Sequence, residues 1–281
     1  MSPPCFLAYF FNTLHVLESC RGAIGREIAI SLAGKGCELI LPVRDAERGK
    51  QLVKDILEKA GAQAGPVHLE ACDMSSLSSL RNFVRRVQEA YPRLDVLINN
   101  AATVPPTRQL TEDGLETQFC VNVLSYFLLM FSLSSFLRKS GKARIINVAS
   151  NLAGDLDLTD MQFEKRKYNN MLAYKQSKQA DRQLSWAGAK FFADSGVKVF
   201  AMHPGVTTSA ILKGVGYEKG WDSAEFCAKM AVQLVMEEEG MKTMETGTYW
   251  VNGEETACPW QENDQECQAV WDYCKKCAGV E

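Results

Sequence analysis

A doubly wound α/β fold, with a parallel sheet of about seven strands and helices on both faces, is predicted by three observations on the sequence. Short runs rich in Val, Ile, Leu and aromatic residues alternate with longer stretches whose apolar positions recur at helical spacing. That alternation implies parallel strands joined by right-handed helical crossovers. The first run passes into a helix through a glycine-bearing turn, Gly22-Ala23-Ile24-Gly25. The 281 residues are 46% hydrophobic and 23% charged, and no Pro/Gly/Ser-rich linker divides them. A single domain spanning 1–281 and burying a substantial core is therefore expected.

The elements follow in order. Cys5 to Leu17 is apolar, but thirteen residues fall short of the ~20 needed to span a hydrocarbon core, and a signal-peptide start is missing. No transmembrane segment is expected. Residues 1–11 read as a ragged tail and Thr13 to Leu17 as the first buried strand, with His15 a core or edge histidine. Arg26 to Ala33 continues the glycine turn as a helix. Strands are predicted at Cys37–Val43, Val67–Cys72, Leu94–Ile98, Ala143–Ala149, Val197–Met202 and Gly247–Val251. Helices are predicted at Ala46–Ala60, Leu77–Tyr91, Leu115–Leu137, Tyr174 to about Asp194, 223–239 and Asp264–Cys277. The polar stretch Asn151–Met171 reads as a loop over the strand ends. Residues 206–222, with Gly214, Gly216 and Gly220, suit a substrate lid.

Charge and cysteine usage narrow the function classes. A net charge of -3 with both signs interspersed argues against a nucleic-acid partner, which would call for a basic excess. The ten cysteines are scattered, several within apolar runs, and read as reduced thiols in a cytoplasmic compartment. Cys274 and Cys277 form a C-x-x-C with Cys258 and Cys267 upstream. The other spacings make no second C-x-x-C, so no metal is expected.

Chemistry concentrates in Tyr174-Lys175-Gln176-Ser177-Lys178. A Tyr and a Lys four apart on a helix share one face, and a nearby ammonium favours the phenolate, so Lys178 is expected to lower the Tyr174 pKa from about 10. Such a tyrosine serves as both acid and base. The glycine turn offers helix N–H groups to a phosphate. Arg44 ends the second strand, where an arginine pairs with the additional phosphate of NADP and an acidic residue would accept the hydroxyls of NAD. Asn122 stands among apolar helix residues and must find a polar partner.

Together these stretches resemble the short-chain dehydrogenase/reductase family over nearly the whole chain, with its Rossmann-type sheet. Asn99-Asn100-Ala101-Ala102 is similar to the family's Asn-Asn-Ala-Gly, Arg144 to Ser150 to its serine-bearing strand, and Tyr174 to Lys178 to its Tyr-x-x-x-Lys. Arg44-Asp45, the 24-residue gap from Ser150 to Tyr174, and His203-Pro204-Gly205-Val206 look most like the retinol dehydrogenase-like and protochlorophyllide reductase-like branch.

The resemblance implies roles at matching positions. Tyr174 would be the acid/base at the substrate oxygen, and Lys178 would lower its pKa and bind the nicotinamide ribose. Ser150 would hydrogen-bond the substrate oxygen, and Asn122 would anchor a water relaying protons through Lys178. Arg21, Gly22, Ile24 and Gly25 belong to the phosphate turn, and Arg44 and Asp73 to the adenosine end. Asn100 and Ala101 would also meet the adenosine side, and Pro204, Gly205 and Val206 the nicotinamide. The implied activity is NADP-dependent interconversion of alcohol and carbonyl on an apolar small molecule, retinoid-, steroid- or lipid aldehyde-like, with NADPH preferred over NADH. A homo-oligomer is compatible with it.

The chain departs from the family where Thr-Gly-x-x-x-Gly-x-Gly is replaced by Glu18-Ser19-Cys20-Arg21-Gly22-Ala23-Ile24-Gly25. Two of three glycines are lost in this register, and Gly22 is displaced by one. Ala102 stands for a glycine, and Ser209 for a threonine that keeps its hydroxyl near the carboxamide. The altered turn motivates an alternative, a catalytically silent Rossmann scaffold with a regulatory or protein-interaction role.

Overall fold

In a computed structural model of the chain, residues 13–17, 22–236 and 244–281 are described. Arg21, with Glu18, Ser19 and Cys20 and the tail 1–11, lies outside them. The sheet runs β3 (Val67–Ala71), β2 (Glu38–Val43), β1 (Leu14–Leu17), β4 (Val96–Asn99), β5 (Arg144–Val148), β6 (Lys198–His203), β7 (Thr248–Val251) and β8 (Glu254–Thr256). The first seven pair in parallel and β8 pairs antiparallel to β7.

Successive strand residues feed opposite faces, as a two-residue period requires. Val16, Leu97 and Ile145 enter one apolar cluster, while Leu17, Ile98 and Ile146 enter the other. The second face is covered by α1 (Ala23–Gly34), α2 (Ala46–Ala60) and α8 (Ala224–Met236). The first is covered by α3 (Leu77–Ala90), α4 (Ser125–Ser132), α6 (Asn170–Phe191) and α9 (Asp264–Ala278). His15 is fully buried in β1 between β2 and β4, a core histidine.

Three expectations are corrected. The sheet has eight strands because Asn252 and Gly253, both at positive φ, turn β7 back into β8. Asn-Gly is the strongest two-residue hairpin signal, but a three-residue exposed strand carries no periodicity of its own. The helix expected over Leu115–Leu137 is instead a π-helical turn at Phe119–Leu124, then α4, then α5 (Ser134–Ser140), with a bend of 58° at Leu133 between two serines. Apolar spacing is blind to that break because Phe131, Leu133, Phe136 and Leu137 carry the apolar pattern across it. Within 206–222 lies a short helix, α7 (Ala210–Gly214), where Ser209 Oγ accepts from Leu212 N at 3.1 Å. That hydroxyl caps the helix. Among the described residues no single helix is long and apolar enough to cross a membrane.

Order along the sheet reverses between β1 and β4, since the chain winds from β1 outward to β3 and then returns to β4. In a doubly wound sheet the carboxyl ends at that reversal form a ligand crevice. Gly22, Arg44, Asn100 and Ser150 all follow the carboxyl ends of strands β1, β2, β4 and β5.

Candidate active site

A cleft of about 870 Å³ runs along these strand ends. At one end α1 follows its N-cap Gly22, φ −71° and ψ 155°, with no side chain capping it among the described residues. By contrast, Asp45 caps α2 by accepting from Arg48 N, and Ser76 caps α3 by accepting from Ser79 N. The first N–H groups of a helix need partners, and here Gly22, Ala23, Ile24 and Gly25 line the cleft. Those donors suit an anion.

Arg44 lines the cleft beyond them, exposed and without a hydrogen bond or ion pair to any described residue. Asp73 is held in shape, its Oδ1 accepting from Ser75 N at 2.9 Å and Ser75 Oγ at 2.7 Å. Asn100 and Ala101 follow β4, and Tyr126 of α4 fixes that turn by donating its hydroxyl to Ala101 O at 2.9 Å. Cleft volume, uncapped helix donors and a free guanidinium together fit a dinucleotide phosphate backbone.

Residues Pro204, Gly205 and Val206 close the far wall after β6. Val206 N donates to Asp222 Oδ2 at 2.7 Å. Gly205 sits at φ +108°, and a Cβ there would come within 2.9 Å of that same Asp222 oxygen and 3.0 Å of Cys227 Sγ. Glycine is required on both counts.

Tyr174 and Lys178 lie on α6, whose first turn is capped by Asn169 Oδ1 accepting from Leu172 N. Both are buried, yet both border the cleft. The ammonium of Lys178 is 5.9 Å from the Tyr174 ring centroid and 5.3 Å from that of Tyr126. Ser150, delivered by β5, lies beside Tyr174, close enough to pull its pKa down, and its Oγ accepts from Leu152 N at 3.0 Å. Chain neighbours 24 residues apart thus meet.

The Tyr174 pKa departs from the sequence expectation. Burial raises it above the ordinary 10, and the downward pull of Lys178 and Ser150 does not offset this. Part of the reason is a group that sequence reading missed. Lys178 Nζ donates to Val148 O at 2.9 Å and to Asp181 Oδ2 at 2.8 Å, and Asp181 is fully buried.

Asn122 finds the polar partners that its apolar surroundings require. Its Oδ1 accepts from Thr103 N at 2.8 Å, and its Nδ2 donates to Thr103 O at 3.2 Å and Ser177 Oγ at 3.1 Å. The side chain is thus committed to protein partners, and no direct Lys178 contact is among them. The π-helical turn presents it; such turns recur at functional sites.

A second missed group is Arg182, buried behind Ser150. Its Nη2 donates to Ser150 O and, at 2.8 Å, to Tyr249 Oη, while its guanidinium stacks 3.8 Å from the Tyr249 ring centroid. Tyr249 Oη in turn donates to Asn151 Oδ1 at 2.6 Å. The signal available in the sequence was two adjacent charges, Asp181-Arg182, in the middle of the helix that carries Tyr174 and Lys178.

His203 completes that wall, its Nδ1 accepting from Asn151 N at 3.3 Å. Burial, reinforced by Arg182, pushes its pKa down to about 4. The unfolded chain protonates this residue below about 6.5, while the fold keeps it neutral. Its contribution to stability is therefore lost as pH falls from about 6.5 to about 4, by up to ~1.4 kcal/mol per pH unit. His203→Asn, which keeps an acceptor for Asn151, is expected to flatten the acid limb of the unfolding free energy measured by urea titration.

Residues 16–219 match the short chain dehydrogenase family. The chain belongs to this family. A short-chain dehydrogenase/reductase is an oxidoreductase acting on CH-OH and C=O groups with a nicotinamide cofactor, and the cleft lies where a doubly wound sheet takes such a ligand. Among its relatives is retinol dehydrogenase 13 of Homo sapiens, 32% identical, covering 95% of this chain and 84% of that protein. Among solved structures, an uncharacterized protein from Mycobacterium paratuberculosis superposes with a TM-score of 0.80 at 24% identity, covering 97% and 95% of the two chains. A metagenomic short-chain oxidoreductase in complex with NADP gives a TM-score of 0.65 at 21% identity, covering 85% and 98%.

Proposed function

We propose that this short-chain dehydrogenase/reductase interconverts a carbonyl and an alcohol on an apolar small molecule, with NADPH preferred over NADH and Tyr174 as the acid/base. The observation that carries the reading is Tyr174 bordering the cleft together with Ser150 and backed by Lys178. When bound, the cofactor would supply or accept the hydride. The uncapped start of α1 at Gly22, Ile24 and Gly25 would take the pyrophosphate, and Arg44 the ribose phosphate. Asp73, Asn100 and Ala101 would line the adenosine side, and Pro204, Gly205 and Val206 the nicotinamide side.

The protein's own task is to hold the substrate oxygen and move one proton. Tyr174 Oη gives that proton to the oxygen in reduction and takes it in oxidation. Ser150 Oγ hydrogen-bonds the same oxygen and stabilises charge that develops there. The substrate end of the cleft is walled by Val121, Leu152, Ile211, Leu212 and Val215, with Trp221 at its edge. Apolar walls favour an apolar carbonyl compound.

Titration of the purified protein with NADPH and NADH, followed by tryptophan fluorescence, tests the cofactor assignment. Arg44→Ala is expected to weaken NADPH by roughly 10- to 100-fold, the scale of a lost charge-assisted hydrogen bond, and NADH hardly at all. Equal losses for both would remove Arg44 from the phosphate role.

A further inference from the structure

Asp181, the buried partner of Lys178, has no part in the chemistry described so far. Asp181 is wholly buried on α6, three residues beyond Lys178, with Oδ2 2.8 Å from the ammonium and Oδ1 unpartnered among the described residues. An ammonium has three donors. Two are fixed, on Val148 O and Asp181 Oδ2, which leaves one for the cleft.

The groups around the carboxylate are few. From its own helix come Lys178 and Tyr174, from α4 the Tyr126 ring beside the ammonium, and from α9 the buried thiol of Cys274, which burial keeps protonated. Arg182, next in the chain, is turned to Ser150 O and Tyr249. Lys178 is thus the cation that Asp181 meets, and the pair carries almost no net charge when both are ionised.

We propose that Asp181 is a positioning residue that cancels the Lys178 charge at Tyr174 and so biases the site toward carbonyl reduction, the direction that needs a protonated phenol. The bias rests on the reading of Tyr174 as acid/base given above. In reduction the hydride brings an electron pair to the carbonyl carbon, and the C=O π pair moves to oxygen. That oxygen takes the Tyr174 proton, and the phenolate left behind regains a proton from water. Oxidation requires the phenolate at the outset. Asp181 works against the lysine here, adding to the burial that keeps Tyr174 protonated.

Asp181→Asn keeps an acceptor for Lys178 and removes the negative charge. The test is an ultraviolet phenolate titration of the cofactor-free protein, with Tyr174 isolated by subtracting the matching Tyr174→Phe protein in each background. In the wild type, Tyr174 is expected to ionise above the ordinary 10, and in D181N at least about one pH unit lower, the scale of one neighbouring charge. The alkaline fall in reduction rate and the rise in oxidation rate should move down by the same amount, with NADPH affinity little changed. A merely structural Asp181 would move none of these limbs.

An unchanged or higher Tyr174 ionisation in D181N overturns the charge assignment. Should D181N fail to fold, D181S is read by the same subtraction, with the same outcomes. A protein whose Tyr174 shifts as expected but which turns over neither alcohols nor carbonyls overturns the acid/base reading and the bias with it, while the charge assignment stands.

Discussion

Tyr174→Phe is expected to cut turnover by ~10²- to 10⁴-fold, the range that a positioned general acid contributes, and to leave NADPH affinity nearly unchanged. The substitution removes one oxygen and keeps the ring against Lys178. Ser150 retains its bond from Leu152 N, so no buried hydroxyl is left without a partner. The expected stability change is within ~0.5–1.5 kcal/mol, the net worth of one hydrogen bond. Steady-state kinetics with an apolar aldehyde, beside a fluorescence titration of cofactor, separates the two effects. Turnover near the wild-type rate would mean that another group protonates the substrate oxygen.

Lys178→Met is expected to destabilise the fold by about 3–5 kcal/mol at mildly alkaline pH, because it leaves Asp181 buried and unpaired. The sign with pH follows from the direction of the carboxyl's shift. Burial raises the Asp181 pKa, and Lys178 pulls it back down. Without the lysine it rises further, so the native state holds a proton that the unfolded chain releases above about 4. In wild type the carboxyl is raised only to about 7, so both proteins lose stability alike from about 4 to about 7, and above that the variant goes on falling while the wild type levels off. Urea unfolding of both proteins below and above pH ~7 reads this directly, with the gap widening on the alkaline side. Adding Asp181→Asn should recover much of the loss, since no group then has to take up a proton on folding. A gap independent of pH would mean that Asp181 is not the group exposed by the loss.

The two variants bracket the uses of one lysine. Toward the cleft it attracts the Tyr174 phenolate, and toward the core it neutralises a carboxylate. Activity probes the first and unfolding the second, so a single variant measured both ways distinguishes the roles.

Much of the fold was legible from local pattern. The runs at 38–43 and 144–148 show buried β-type composition, and 46–60 and 77–90 show helical spacing with Asp45 and Ser76 as caps. Each signal is set within a few residues, by side-chain period and backbone hydrogen bonding, so sequence carries it. The Tyr174–Lys178 pairing is of the same kind, because four residues on a helix return to one face. The break at Leu133 left no such trace, since Phe131, Leu133, Phe136 and Leu137 continue the apolar pattern across it.

What sequence determined by itself was the alternation of elements, the helix that brings Lys178 to Tyr174, and the order of motifs that marks the family. Tertiary structure alone decided that Ser150 meets Tyr174, that Asn122 is tied to Thr103 and Ser177, and that Arg182 reaches Ser150 and Tyr249. It also decided the sign of the Tyr174 shift. Spacing specifies which charge is near, but the cost of ionising a phenol depends on how much water the other elements exclude, and on whether the nearby charge is already paired. Packing of α4 and α9 against α6 buries the lysine with Asp181. Desolvation is a property of the assembled fold, and no window of the sequence contains it.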